Sequence, residues 1–175
     1  MHQEEKTNVP KKVFLATNIS ELLSGPISVK YKAPGCPTIA CTIGQAEISH
    51  ALIDLGVSIN LLAFSVYQQL MLDDLSPTRV TIQLDDRSVK VPEGKINDVL
   101  ILVREFIYPV DFIVLETQHV SNPRAQTLVI LGRPFLTIAN AIINCKNESM
   151  RLSFGDMTRK VNVLNLGKQP HDIED

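Results

Sequence analysis

A chain of 175 residues favours one compact domain with tails. Hydrophobic residues make up 45% and charged ones 21%, and with few aromatics and no tryptophan the core must be mostly Val, Ile and Leu, which suits sheets. A net charge of −2 leaves no basic footprint, which argues against nucleic acid or an anionic membrane as the main partner.

The start, "MHQEEKTNVPKK", is polar and carries acids, unlike a signal or transit peptide. No apolar run approaches the roughly 18 residues of a membrane span. The three cysteines, Cys36, Cys41 and Cys145, form an odd, sparse set that fits reduced thiols better than a disulfide framework. A cytoplasmic rather than secreted protein is therefore expected. Residues 1–12 read as disordered. "ATNISELLSG" (16–25) reads as a short helix, with Asn18 or Ser20 as cap and Gly25 as stop. "YKAPGCP" (31–37) is rich in turn residues. Residues 1–37 thus read as an arm leading into a domain at 38–166, with a flexible tail at 167–175.

From Thr38 the pattern becomes that of strands. "TIACTI" alternates apolar residues at Ile39, Cys41 and Ile43, and "GQ" (44–45) fits a two-residue hairpin turn with glycine first. "AEISHALID" returns as the second strand. "SVYQQLML" (65–72) reads as a short helix, with Ser65 and Gln68 at capping-box spacing. "RVTIQL" (79–84), the polar loop Asp85–Ser88 and "VKV" (89–91) form a hairpin with a charged tip. "DVLILV" (98–103), "IYPVDFIVLE" (107–116) and "TLVIL" (127–131) are further strands, with a polar loop at 117–126. "GRPFLTIANA" (132–141) reads as a helix with Pro134 in its first turn, where a missing N–H costs little. "AIINC", "MRLSF" and "KVNVL" complete an all-β domain of short strands with one or two short helices.

The chemistry narrows by elimination. His2, His50, His119 and His171 have no metal-protease spacing. Cys36-x4-Cys41 lacks the further nearby ligands of a structural zinc site, so no metal is expected. "GVSIN" around Ser58 lacks the second glycine of a nucleophile elbow. Neither a phosphate loop nor a dinucleotide fingerprint occurs, and no cofactor is expected. Asp54 is left. Taken alone, an Asp after a strand is usually a turn or cap residue. Here the run before it (Ala51, Leu52, Ile53) is apolar on both faces. A second stretch, "LVILGRPFL" (128–136), also carries an apolar strand into a glycine and a helix.

These pieces resemble the retropepsin-like aspartic peptidases. They are Asp54-Leu55-Gly56 after an apolar strand, a flap hairpin at Asp85, Asp86, Arg87 and Ser88, and Ile130-Leu131-Gly132-Arg133 opening a helix. The wording "DLG-S-NLL", "LxDRSVKVPxG", "YPVDFIVL" and "ILGRPFL" is most similar to the protease segment of plant gypsy-class long-terminal-repeat retrotransposon polyproteins. The resemblance spans roughly residues 29–166. It implies a single-lobe acid-protease β-barrel with Asp54 as the catalytic residue in the loop Leu55, Gly56, Val57 and Ser58. In that family two carboxylates share one proton, because two like charges so close cannot both ionise. One takes a proton from water while the other donates to the scissile carbonyl, and the pair titrates as a unit. The chain has one Asp-x-Gly and no room for a second lobe. The implied partners are therefore a second copy, with Asp54 from each at a two-fold axis, and an extended polypeptide substrate under the flap.

Three positions depart from the family pattern. Leu55 replaces a Thr or Ser whose hydroxyl bonds across the dimer, a loss of about 0.5–1.5 kcal/mol per subunit. Val57 stands where retroviral relatives carry a small alanine beside the substrate path. Ser58 replaces an Asp that pairs with the helix-opening arginine, so that Arg133 could share at most a neutral hydrogen bond with it. Two functions stay open. One is an aspartic endopeptidase that processes a polyprotein. The other is a non-catalytic retropepsin-fold module for dimerisation or peptide binding. A nucleic-acid-binding Gag piece is disfavoured by the charge and the lack of a zinc knuckle.

Overall fold

The structure is a computed structural model that describes residues 11–15, 17–24, 37–120, 122–144 and 146–165. Cys36, Cys145, the helix stop at Gly25, most of the turn at 31–37 and the tail from 167 lie outside these residues. In chain order the elements are β1 (Lys11–Phe14), α1 (Thr17–Ser24), β2 (Pro37–Ile43), β3 (Ala46–Ile53), β4 (Leu61–Ala63) and α2 (Phe64–Leu70). There follow β5 (Val80–Gln83), β6 (Val89–Lys90), β7 (Gly94–Val103), β8 (Phe106–Leu115) and a 3₁₀ turn, η1 (Pro123–Thr127). The chain closes with β9 (Val129–Leu131), α3 (Arg133–Ile138), β10 (Ile142–Asn144), β11 (Ser149–Phe154), β12 (Met157–Asn162) and β13 (Leu164–Asn165).

The main sheet runs β13-β2-β3-β9-β4-β8-β7, and β2 also pairs with β7, so the sheet closes on itself as a barrel. Closure removes most exposed strand edges. The hairpin expected at Gly44–Gln45 is present, with Gly44 at φ +60° between the paired Ile43 and Ala46. Strands β4 and β9 are buried at every residue, as apolar runs covered on both faces must be. Their neighbours fix the register: Ile130 of β9 lies opposite Leu52 of β3 on one side and Leu61 of β4 on the other. The interior is aliphatic, as the composition requires, with Phe106, Phe112 and Phe135 its largest fully buried side chains.

A second sheet, β10-β11-β12, docks on the barrel through aromatic rings. Phe154 of β11 stacks on Phe106 at 5.6 Å between centroids. Tyr108 meets Phe135 of α3 edge-on, also at 5.6 Å, and its hydroxyl donates to the Ser153 carbonyl at 2.7 Å. The helix that follows β9 thus packs on the barrel through Phe135, and the Ala139 carbonyl at its C-terminal end accepts the Ser153 N–H of the second sheet at 2.8 Å.

The structure differs from the sequence reading in several places. The segment before residue 37 is not wholly an arm. Lys11 and Lys12, expected in a disordered stretch, belong to β1, which pairs in parallel with β5, and Val13, Leu15, Ile19 and Leu23 are core residues. Ser20 does not cap α1 but lies within it, its hydroxyl donating to the Leu15 carbonyl. Ser65 does not form a capping box either. Helix α2 begins one residue earlier with Ala63 as an uncapped N-cap, and the Ser65 hydroxyl donates instead to the Gln126 carbonyl of η1. The loop at 117–126 is partly ordered into η1, whose first turn is capped by Asn122.

Candidate functional site

Strand β3 ends at Ile53, and the chain then crosses to β4. Between those two strands runs β9, parallel to β3 and antiparallel to β4. The loop 54–60 must therefore pass over the end of β9, where Gly132 stands. A Cβ on Gly132 would lie 2.1 Å from the Ile59 carbonyl oxygen and 2.7 Å from that of Val57. Glycine is needed here for close approach, since its φ of −94° suits any residue.

Backbone hydrogen bonds lock the crossing. The Asp54 N–H donates to the Leu131 carbonyl at 3.1 Å, and the Arg133 N–H donates to the Val57 carbonyl at 2.9 Å. Asp54 is thus held at the mouth of a buried strand and is itself half-buried. Its Oδ1 accepts the Gly56 N–H at 2.8 Å. Gly56 has no left-handed φ. What favours glycine is space, because a Cβ would stand 3.2 Å from that same carboxylate oxygen.

Sequence reading gave Asn60 no role, yet it ties the crossing together. It is 1% exposed. The Asn60 Oδ1 accepts the Gly132 N–H at 2.9 Å, and its Nδ2 donates to the Asp111 carbonyl on β8 at 3.0 Å. One amide thus joins the loop, β9 and β8. The only hint in sequence was a polar residue inside the apolar run "SINLL". Replacing Asn60 with alanine is expected to destabilise the fold by about 2–4 kcal/mol, since it strands one buried donor and one acceptor. Denaturant unfolding with Asn60→Asp as comparison checks this. The carboxylate can still accept from Gly132 but cannot donate to Asp111, so a full recovery by Asn60→Asp would contradict the assignment.

The remaining loop residues face different ways. Leu55 is 60% exposed. Val57 is buried in the core, so its side chain is a packing element rather than the lining of an open path. Ser58 is half-buried. The guanidinium of Arg133 turns to the loop backbone instead: its Nη1 donates to the Leu55 carbonyl at 3.4 Å. The Arg133 backbone is already fixed to Val57, which leaves its exposed guanidinium beside the first half of the loop. Ile130 and Leu131 are fully buried and serve as the strand that presents Gly132.

The hairpin of β5 and β6 carries Asp85, Asp86, Arg87 and Ser88 at an exposed tip. Asp86 Oδ1 accepts from both the hydroxyl and the N–H of Ser88, which holds its carboxyl below the usual range. Arg87 takes φ +72° to close the turn. Cys41 belongs to none of this. Burial pushes its thiol up to about 12, so it behaves as a small apolar core residue.

A closed barrel with a half-buried Asp on a loop that crosses a glycine-terminated strand defines a single-lobe, all-β retropepsin-like fold. Among solved structures the chain is similar to the retroviral protease-like domain of Ddi1 from Leishmania major. The TM-score is 0.53 at 17% identity, covering 76% of this chain and 96% of that one, a likeness of fold alone. No protein-family model matches the chain, and no curated protein matches it.

Proposed function

We propose that this chain is a retropepsin-type aspartic endopeptidase that cleaves an extended polypeptide as a homodimer, with one Asp54 from each copy. The observation that carries the reading is the placement of Asp54. Its backbone is fixed to Leu131, its carboxylate to Gly56, and the loop behind it is pinned over Gly132. A carboxylate carried on a backbone pinned in this way is pre-positioned for acid–base work, where small errors of placement cost rate. The sequence holds one Asp-x-Gly, which supports a second copy as the source of the second carboxylate. The motif wording further supports a retrotransposon polyprotein as the source of the substrate.

In the mechanism that follows, one Asp54 accepts a proton from the attacking water while its partner donates to the scissile carbonyl oxygen. The hairpin tip Asp85–Ser88 would close over the peptide and exclude bulk water. Cleavage of a peptide library at mildly acid pH, blocked by a statine-type transition-state analogue and rising steeply with protein concentration, is the test. A stable dimer that cleaves nothing would instead support the non-catalytic module. That second reading is favoured by one feature, the exposed, hydroxyl-free Leu55.

Leu55→Thr separates these. If the missing hydroxyl limits placement of the dyad, this variant should raise kcat/KM several-fold and tighten the dimer, by about 0.5–1.5 kcal/mol per restored hydrogen bond. Sedimentation and initial rates measure both. An unchanged or lower rate would show that leucine is accommodated by other packing across the two-fold axis.

A further inference from the structure

We infer that residues 11–15 and 17–24 form a latch that holds the 80–90 hairpin down, and that release of this latch admits the polypeptide. The inference rests on the reading of that hairpin as a flap. The hairpin is weak by itself: β5 and β6 share two register pairs, Ile82 with Lys90 and Gln83 with Val89. Two short strands alone are marginal in water. Their sheet is completed by β1, in the order β1-β5-β6, and no strand of the barrel belongs to it. Strand β1 is aligned along all of β5, from Lys11 opposite Val80 to Phe14 opposite Gln83. Backbone bonds secure both ends, Lys11 N–H to the Arg79 carbonyl at 3.1 Å and Leu15 N–H to the Gln83 carbonyl at 3.2 Å.

The same segment then reaches the hairpin tip. The Ser20 hydroxyl accepts the Asp85 N–H at 3.0 Å while donating to the Leu15 carbonyl at 3.2 Å. Ser20 is 1% exposed and anchors the bond from the protein interior, while its partner Asp85 stands at the exposed tip. Val13, Leu15, Ile19 and Leu23 from the latch are buried, as are Ile82 and Leu84 from the hairpin. Helix α1 also lies against η1, the turn that leads into β9 and so to Gly132. These residues therefore join the tip of the hairpin to the approach of β9, the strand over whose end the Asp54 loop crosses. Lifting the hairpin requires breaking the β1–β5 ladder and the Ser20–Asp85 bond. A flap that covers a polypeptide must lift for each substrate, so the latch sets how often it does.

Hydrogen exchange of the full chain tests this independently of activity. Ser20→Ala removes the bond to Asp85, and Val13→Asp places a charge under the ladder. Both should speed amide exchange across residues 80–90 by about fivefold or more, with β3 and β9 unchanged. Exchange that rises equally throughout the barrel, or not at all in the hairpin, would overturn the latch. Peptide cleavage by the same variants should speed up with it. Hairpin loosening in a protein that cleaves nothing upholds the latch and overturns the endopeptidase reading, which keeps the two failures apart.

Discussion

Gly132→Ala is expected to cost the protein about 4 kcal/mol or more, enough to leave a domain of ordinary stability largely unfolded. The added methyl would meet the Ile59 carbonyl oxygen at 2.1 Å and the Val57 carbonyl oxygen at 2.7 Å. Both obstacles are backbone, and neither can step aside cheaply. Val57 is held by the Arg133 N–H and Gly132 itself by the Asn60 side chain. Relief would break the bonds that pin the loop over β9. Two controls sharpen the result. Gly155→Ala adds a methyl to open space, and its cost should be about 1 kcal/mol from its φ of +60°. Gly56→Ala should fall between, because the 3.2 Å contact is with the Asp54 carboxylate oxygen, which can rotate. Thermal melts of the three variants measure the order. A Gly132→Ala protein that melts with the parent would mean that the loop does not cross β9 as described.

The same crossing shows what the sequence could and could not disclose. Alternation in "TIACTI" and the unbroken "LVIL" were enough to place β2 and β9, because period-two patterning and full burial leave marks on neighbouring letters. Gly132 was legible through its motif, though its reason was not. That reason is the approach of Ile59 and Val57, residues far earlier in the chain. Asn60 was opaque for the same cause. Its partners, Gly132 and Asp111, are 72 and 51 positions away, and no local pattern announces them. Ser65 and Gln68 had correct capping spacing, but a tertiary acceptor in η1 took the hydroxyl. Local propensity lost to a distant partner. "KKVF" was missed because so short a run, half of it charged, carries too little alternation to declare a strand. A parallel partner in β5 supplies what the segment lacks.

Asp54→Asn should lower peptide cleavage by about 10³-fold or more, the scale of a lost acid–base pair. Loss in the variant alone does not distinguish one carboxylate per active site from two. Mixing does. If each site needs Asp54 from both copies, equal amounts of parent and variant, allowed to exchange subunits, leave about a quarter of dimers with two carboxylates. Activity per parent chain then falls to about half, whereas independent subunits would lose none. The variant must still fold for this to count. The amide introduced by Asp54→Asn leaves the backbone bond to Leu131 in place and still offers an oxygen to the Gly56 N–H, so the variant's melting curve should match the parent's. Cleavage persisting in Asp54→Asn would end the assignment of Asp54. Activity that tracks parent concentration linearly in the mixture would end the shared site, and would direct attention to a second acid within one chain.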